Sequence, residues 1–235
     1  MSLLDRGFRM ALLAVLAMGA LGVPAASFAE DAIGGDMIIT KGMKPWEGCG
    51  ECHDLDGVAP NGHFPSLAGQ KPAYFRKQMA DFREGARAND HGQMGVSSRE
   101  LVGDKLEQVI DYFAALPAPP PQPVKDVSDA ALARARRLVG EGSRAEHIPP
   151  CANCHGAHPR HAYDAPCLEA QQAGYLSKQL EDFKAGRRDN DPKRAMRSVA
   201  RRLSDQDIGL LAAYLASRPR AASGSGADAC GASAP

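Results

Sequence analysis

The sequence has few aromatic residues and no net charge. It contains one Trp, five Tyr and seven Phe in 235 residues, and 28 basic side chains balance 28 acidic ones. A nucleic-acid partner would require a basic surface or an aromatic stacking platform, and the composition indicates neither. We therefore expect no nucleic-acid partner.

Long apolar runs are also scarce, and the one that is present lies near the N-terminus. Arg6 and Arg9 precede an apolar stretch over residues 10–23, and small residues follow it up to Ala29. This stretch is shorter than the roughly 20 residues that a membrane-spanning helix needs. The pattern predicts a signal peptide over residues 1–29, cut after Ala29. The mature chain is then an exported, soluble protein without a transmembrane segment, in an oxidising compartment that permits disulfides.

The cysteines follow a repeated pattern. The motif Cys-x-x-Cys-His occurs twice, 102 residues apart: Cys49, Cys52 and His53, then Cys151, Cys154 and His155. Downstream, "PSLAGQKPAYFRKQMADFREGARANDHGQM" aligns with "PCLEAQQAGYLSKQLEDFKAGRRDNDPKRAM". Similarity at a fixed period indicates a duplicated unit.

A proline-rich segment, "PAPPPQPVKDVSD", separates the two copies. Its prolines prevent a helix and favour an extended, semi-rigid spacer. The C-terminal "RAASGSGADACGASAP" is rich in Gly, Ala and Ser and predicts a flexible tail. We predict a first domain over residues 30–117, a linker over 118–129, a second domain over 130–219 and a tail over 220–235.

Apolar residues in each copy recur at the three- and four-residue spacing of a helix. This spacing predicts one helix around "AYFRKQMADF" and a matching one around "GYLSKQLEDF". We predict further helices at residues 98–116, 129–139 and 204–217. The glycine-rich segment before the first motif gives no clear helix. Neither copy shows the alternation of a strand, so the predicted fold class is all-α.

Three kinds of site use Cys-x-x-Cys. A zinc site typically takes two such pairs close together, whereas these pairs lie 102 residues apart. A redox pair belongs to a βαβ pattern, which neither copy has. Covalent attachment of haem c uses both thiols and places the adjacent His on the iron, so it alone accounts for that His. We therefore predict two covalently bound haem c groups, attached at Cys49, Cys52, Cys151 and Cys154, with His53 and His155 as iron ligands.

A second matched pair indicates the other iron ligand. Met94 and Met196 each lie 41 residues after the motif His, in polar loops that precede the last helix. The other methionines have no such match, and filling the core is their ordinary role. We therefore predict Met94 and Met196 as axial ligands. The remaining histidines are unmatched between the copies, which favours loop positions over an iron ligand: His63, His91, His147, His158 and His161.

With these motifs, the shared Pro-x-Leu, Tyr-x-x-x-Gln and Phe-x-x-Gly-x-Arg-x-Asn-Asp resemble the class I cytochromes c, specifically the dihaem periplasmic cytochromes of the cytochrome c4 type. The resemblance covers most of residues 43–117 and 130–219. It implies two tandem cytochrome c domains, each wrapping one haem, in a periplasmic protein. It also implies that the carbonyls of Pro65 and Pro166 fix the second ring nitrogen of each motif His. Four residues are implied neighbours of the haem propionates, with packing or surface roles as the alternative: Tyr74, Tyr175, Arg87 and Arg188.

Two features stand outside this pattern. The second copy has "LEAQ" at residues 168–171 where the first has "LAGQ" at residues 67–70, so it loses a glycine. Cys167 and Cys230 belong to neither motif. Export permits a disulfide between them, and the alternatives are free thiols or a reactive or iron-binding Cys167.

The charges divide unevenly between the halves. Residues 30–117 hold 9 basic and 14 acidic residues, a net charge of −5, and residues 118–235 hold 17 and 13, a net charge of +4. Such a dipolar molecule can orient toward charged partners, although surface charge is ordinarily only a solvated face.

Two irons with both axial positions filled leave no site for a substrate, and Met ligation raises the reduction potential. The sequence therefore predicts an electron carrier rather than an enzyme. Its redox partners would be a respiratory or dehydrogenase donor and a terminal oxidase or reductase, with docking to a membrane-bound oxidase. One alternative is a haem subunit of a periplasmic dehydrogenase, such as flavin-dependent sulfide dehydrogenase. Another is a dihaem enzyme, such as thiosulfate dehydrogenase or a peroxidase, which would need an open or Cys-ligated iron.

Overall fold

The computed structural model describes residues 42–125, 127–156 and 165–220. In these ranges the chain forms helices and the turns between them. These ranges hold no named strand, only an isolated bridge between Ser143 and Ile148, so the predicted all-α class is confirmed. They also hold no helix long and apolar enough to cross a membrane. The predicted signal peptide, His158, His161 and Cys230 lie outside the described residues.

The described residues of the first copy form four helices: α1 (Gly50–His53), α2 (Pro72–Arg83), α3 (Gln93–Glu100) and α4 (Gly103–Ala115). Pro72 suits the first position of α2, because the N–H that proline lacks would have no helical partner there. The prediction of one continuous helix over residues 98–116 was wrong. The chain leaves helical geometry at Leu101 and Val102, and Gly103 then has φ 53°, a left-handed conformation that glycine adopts without strain.

The second copy contains α5 (Asp129–Gly140), α6 (Ala152–His155), α7 (Ala173–Ala185), a 3₁₀ turn (Pro192–Arg194), α8 (Ala195–Ala200) and α9 (Asp205–Ser217). The predictions at residues 129–139 and 204–217 are confirmed to within a residue. Side-chain caps define both starts. Ser128 accepts a hydrogen bond from the Ala131 N–H, and Ser204 forms a capping box with Asp207.

An ion pair joins α5 to α9. Arg134 donates two hydrogen bonds to the Asp207 carboxylate, one of them 2.8 Å long. The hydrogen bond from Arg134 lowers the pKa of Asp207, burial opposes the shift, and a hydrogen bond with Ser204 adds to it. The ionised carboxylate therefore both caps α9 and pairs the two helices.

Each copy has its own apolar core. In the first, α2 and α4 bury seven apolar residues: Phe75, Met79, Phe82, Leu106, Val109, Ile110 and Phe113. In the second, α5 and α9 bury Leu138, Ile208 and Leu211. Trp46 stacks on Tyr112, with ring centroids 4.7 Å apart, so an aromatic pair covers the end of the first core.

All described residues belong to one compact unit of the chain. The proline-rich segment lies between α4 and α5, and it contacts the second copy. The Gln122 N–H donates to the Ala216 carbonyl over 2.9 Å, and the Gln122 side chain bonds Gln172 over 2.7 Å. The spacer is therefore held against α9 and the start of α7 rather than standing free.

Candidate haem-binding sites

Each Cys-x-x-Cys-His motif forms one helical turn that ends at a buried histidine. Nδ1 of His53 lies 2.9 Å from the Pro65 carbonyl oxygen, and Nδ1 of His155 lies 2.9 Å from that of Pro166. A carbonyl oxygen only accepts, so each Nδ1 must carry the proton and donate it. Nε2 then keeps its lone pair. This tautomer and fixed ring orientation suit an iron ligand.

Burial keeps both imidazoles neutral. It lowers the pKa of His53 and of His155, against the opposing effect of the hydrogen bonds to the proline carbonyls. The positive charge of Lys71 lowers the pKa of His155 further. Neutral imidazole is the form that binds a metal, so each histidine is ready to coordinate at neutral pH.

The four motif cysteines form no disulfide with any residue that the structure describes. Burial raises the pKa of Cys49 and of Cys151 to about 11. Zinc binds thiolates and needs four ligands. Nowhere in the described ranges do three or more His, Cys, Asp or Glu side chains gather in a way that could hold a metal ion. The geometry thus gives the zinc alternative no support. A thiol pair beside a histidine with a free lone pair fits covalently attached haem.

The two matched methionines occupy the same structural position. Met94 is the second residue of α3 and Met196 is the second residue of α8. We expected polar loops, but each methionine lies at a helix start. Asp90 accepts a hydrogen bond from the Met94 N–H over 2.5 Å, and Asp191 accepts one from the Arg197 N–H over 2.9 Å. A carboxylate suits a helix start because it binds unpaired N–H groups and complements the helix dipole. Iron ligation by both methionines remains a prediction.

The four residues given as propionate neighbours or packing residues meet between the copies. Arg87 donates to the Tyr175 hydroxyl over 3.0 Å, and Arg188 donates to the Tyr74 hydroxyl over 3.2 Å. Each guanidinium also lies over a phenylalanine ring of its own copy, 4.5 Å from the centroid. The tyrosines and arginines thus form a reciprocal contact across the interface.

Glutamines and asparagines extend this contact on both sides. Gln179 accepts from Arg87 over 3.0 Å, and Gln78 accepts from Arg188 over 3.0 Å. Asn89 donates to Asp182 over 2.7 Å, and Asn190 donates to Asp81 in the matching contact. Burial raises the pKa of Asp182, but hydrogen bonds from Lys178, Asn89 and Arg187 outweigh it and lower the pKa. Nearly every buried polar group here has a partner, so the interface specifies one arrangement of the copies.

A second pair of glutamines links the segments that hold the motif histidines. Gln171 bonds the backbone of Ser66 through two hydrogen bonds of 2.7 and 2.9 Å. Gln70 bonds the backbone of Cys167 through two of 2.9 and 3.1 Å. Ser66 and Cys167 directly follow the prolines that hold His53 and His155, so the interface connects the two sites. These contacts were missed, although the recurring Pro-x-Leu-x-x-Gln signalled a shared role.

The other candidate residues lie apart from this arrangement. His63, His91 and His147 are exposed in turns. Cys167 is fully buried and disulfide-bonded. Its pairing with Cys230 remains a prediction, because Cys230 lies outside the described residues.

Two buried, carbonyl-fixed histidines, each ending a Cys-x-x-Cys-His turn in a helical chain, define a c-type cytochrome. Residues 146–219 match the family model for cytochrome c. The chain is 35% identical to cytochrome c4 of Pseudomonas aeruginosa over 170 residues, which covers 71% of this chain and 82% of that protein. It is 37% identical over 171 residues to the thiosulfate dehydrogenase electron acceptor of Stutzerimonas stutzeri, covering 72% and 77%. The chain belongs to the cytochrome c4 family.

Two solved structures are also similar to this chain. Reduced cytochrome c4 from Pseudomonas stutzeri matches with a TM-score of 0.62 and 30% identity, over 72% of this chain and 92% of that one. Thiosulfate dehydrogenase (TsdBA) from Marichromatium purpuratum matches with a TM-score of 0.62 and 34% identity, over 73% of this chain and 36% of that one. The predictions of class I cytochrome c domains, two covalent haem c groups and a role in electron transfer are confirmed.

Proposed function

We propose that this protein is a periplasmic carrier that accepts electrons from a dehydrogenase or respiratory donor and delivers them to a terminal oxidase or reductase. The observation that carries the proposal is the buried reciprocal interface, because it connects the segments that hold His53 and His155. The signal-peptide pattern over residues 1–29 supports the periplasm as the compartment.

A haem bound at each site supplies an iron that takes up and releases one electron. His53 and His155 would hold the iron through Nε2, because the carbonyls of Pro65 and Pro166 fix Nδ1 of each ring. We propose Met94 and Met196 as the second ligands, held at matching helix starts. With a histidine and a methionine of the chain holding each iron, no coordination position would remain for a substrate.

The interface keeps the two sites at a fixed separation. Arg87 and Arg188 are both buried, and each contacts residues of both copies. A buried polar contact of this kind opposes hinge motion, because opening it would leave several donors and acceptors unpaired. Electron exchange between the copies then needs no movement of one against the other.

A more specific candidate for the donor is thiosulfate dehydrogenase. Two similar proteins are thiosulfate dehydrogenase electron acceptors, from Stutzerimonas stutzeri at 37% identity and from Thiomonas intermedia at 31%. An enzymatic role for this chain itself has less support. It would need an open or thiolate-ligated iron, and Cys167 is disulfide-bonded.

Stopped-flow reduction tests the proposal. The oxidised protein is mixed with thiosulfate dehydrogenase and thiosulfate, and haem reduction is followed by visible absorption. We expect two electrons to enter each molecule and no reduction when the dehydrogenase is omitted. Reduction by thiosulfate alone would indicate an enzyme instead of a carrier. If thiosulfate dehydrogenase does not reduce the haems but a different periplasmic dehydrogenase does, the carrier function is retained and the other enzyme becomes the proposed donor.

A further inference from the structure

The two copies differ in the charge buried around their haem sites. Three ionisable side chains with at most 6% exposure distinguish the second site: Lys71, Glu169 and Arg220. The residues at the matching positions of the other copy are all uncharged: Gln172, Ala68 and Ala118. At "LEAQ" the second copy therefore loses a glycine and also gains a buried carboxylate.

Glu169 lies against the segment that holds the second haem ligand. It follows Pro166, the hydrogen-bond acceptor of His155, by three residues. Its Oε2 is buried and has no hydrogen-bond partner in the part of the chain that the structure describes. Burial is the main cause of the raised pKa of Cys151, and the negative charge of Glu169 contributes to it. Glu169 is thus tied to the second motif through the segment whose Pro166 carbonyl holds His155.

Two buried cations belong to the surroundings of the second site. Arg220 donates two hydrogen bonds, of 3.1 and 2.8 Å, to the backbone carbonyl of Glu169 and a third, of 2.9 Å, to that of Ala68. Lys71 extends from the first copy, and its charge acts on His155. An isolated carboxylate is costly to bury, and nearby positive charge offsets that cost.

We infer that Glu169, Lys71 and Arg220 form a charged cluster that sets the reduction potential of the second haem apart from that of the first, and that Glu169 lowers it. The oxidised iron carries one more positive charge than the reduced iron. A nearby anion therefore stabilises the oxidised form and lowers the potential, whereas a cation raises it. The effect is strong because the interior screens charge weakly. This inference deepens the proposed carrier function, since a difference in potential gives internal electron transfer a direction.

Glu169→Gln is the primary test, because it removes the charge and keeps the shape. The potential of each haem is measured in the complete haem-loaded protein by spectroelectrochemical titration. The two haems are distinguished by the paramagnetic NMR signals of their methyl groups. We expect the potential of the second haem to rise and that of the first to stay unchanged. Glu181→Gln, at an exposed position of the same copy, is the matched control and should move neither.

Lys71→Gln supplies the opposite sign, because Gln is the residue at the matching position of the other copy. It should lower the potential of the second haem. A structural disturbance would not shift the potential in opposite directions for the two variants. If Glu169→Gln folds poorly, Glu169→Ala introduces the residue of the first copy and should again raise the second potential.

The inference is overturned if the charge-neutral Glu169 variants leave both potentials unchanged, move both haems equally, or shift the second in the same direction as Lys71→Gln. These potentials are measured without any partner protein. Such a failure would therefore leave the carrier function standing, and that function is tested separately by reduction with a donor enzyme.

Discussion

The two copies meet at a backbone contact between two glycines, which one added methyl group should disrupt. A Cβ on Gly62 would lie 2.9 Å from Cα of Gly174 and 3.3 Å from its N. These are main-chain atoms in the first turn of α7, so they cannot rotate away. Ala73 occupies the position in the first copy that matches Gly174, and it is exposed. The glycine in the second copy thus serves this contact rather than the helix.

Two opposing effects determine how Gly62→Ala changes the free energy of unfolding. Forcing an extra methyl group into a packed site costs about 1–3 kcal/mol. Replacing glycine also restricts the unfolded chain, which stabilises the protein by about 0.4–1 kcal/mol where the backbone permits alanine. Gly62 does not have the positive φ that would strain an alanine. We therefore expect the free energy of unfolding to fall by about 1–2 kcal/mol.

Urea unfolding of the haem-loaded protein, followed by far-UV circular dichroism, measures this change. Gly209→Ala is the matched control, because a Cβ on this exposed glycine within α9 meets nothing within 4 Å. It should raise stability by about 0.5–1 kcal/mol. Gly174→Ala, whose Cβ would lie 3.2 Å from Cα of Gly62, should cost less than Gly62→Ala. The double variant should be non-additive, because both changes open the same contact. A Gly62→Ala protein as stable as the wild type would refute the reasoning.

Three further predictions concern the irons, acid stability and partner binding. Met94→Ala and Met196→Ala should each remove about half of the weak near-infrared sulfur-to-iron absorption of the oxidised protein, and an unchanged band would contradict that ligand. The lowered pKa of Asp207 means that its ionised form stabilises the fold above the ordinary value of 3.8 and that this contribution is lost as pH falls through the folded-state pKa. Asp207→Asn should therefore lower the unfolding midpoint at pH 7, and its difference from the wild type should shrink as the pH falls below 3.8, unless the ion pair contributes nothing. Arg194 and Arg201 are exposed and form no ion pair with any described residue. Replacing both by Glu should slow reaction with an acidic partner at low salt. Equal rates for the variant and the wild type at all salt concentrations would mean that the charge asymmetry only solvates the surface.

The sequence predicted what is local and repeated. Residues within a few turns of one another were enough to predict the positions of α2, α5, α7 and α9 and both Cys-x-x-Cys-His motifs. The break between α3 and α4 was missed because the apolar period continues across it. Only Gly103, with its left-handed backbone, signalled that the chain turns there.

The interface could not be predicted because it joins residues about a hundred positions apart. Periodicity shows which side of a helix is apolar, but it does not show which polar side chain meets which across two packed units. The buried Arg87 and Arg188 illustrate the difficulty. The resemblance to the cytochromes c implied that they neighbour the haem propionates, with packing or surface roles as the alternative. In the structure they donate hydrogen bonds to tyrosines and glutamines across the interface.

A reciprocal interface explains which positions of the repeat are identical and which differ. A side chain that reaches across it is needed twice, once from each copy, as Gln70 and Gln171 are. Ser66 and Cys167 occupy matching positions yet differ, because they offer only backbone N–H and C=O groups to those glutamines. Glu169 also differs from its counterpart, and its buried side chain follows the Pro166 that holds His155 by three residues. The residues that are identical in both copies thus form the contacts that hold the copies together. The residues that differ can give two otherwise equivalent irons separate properties.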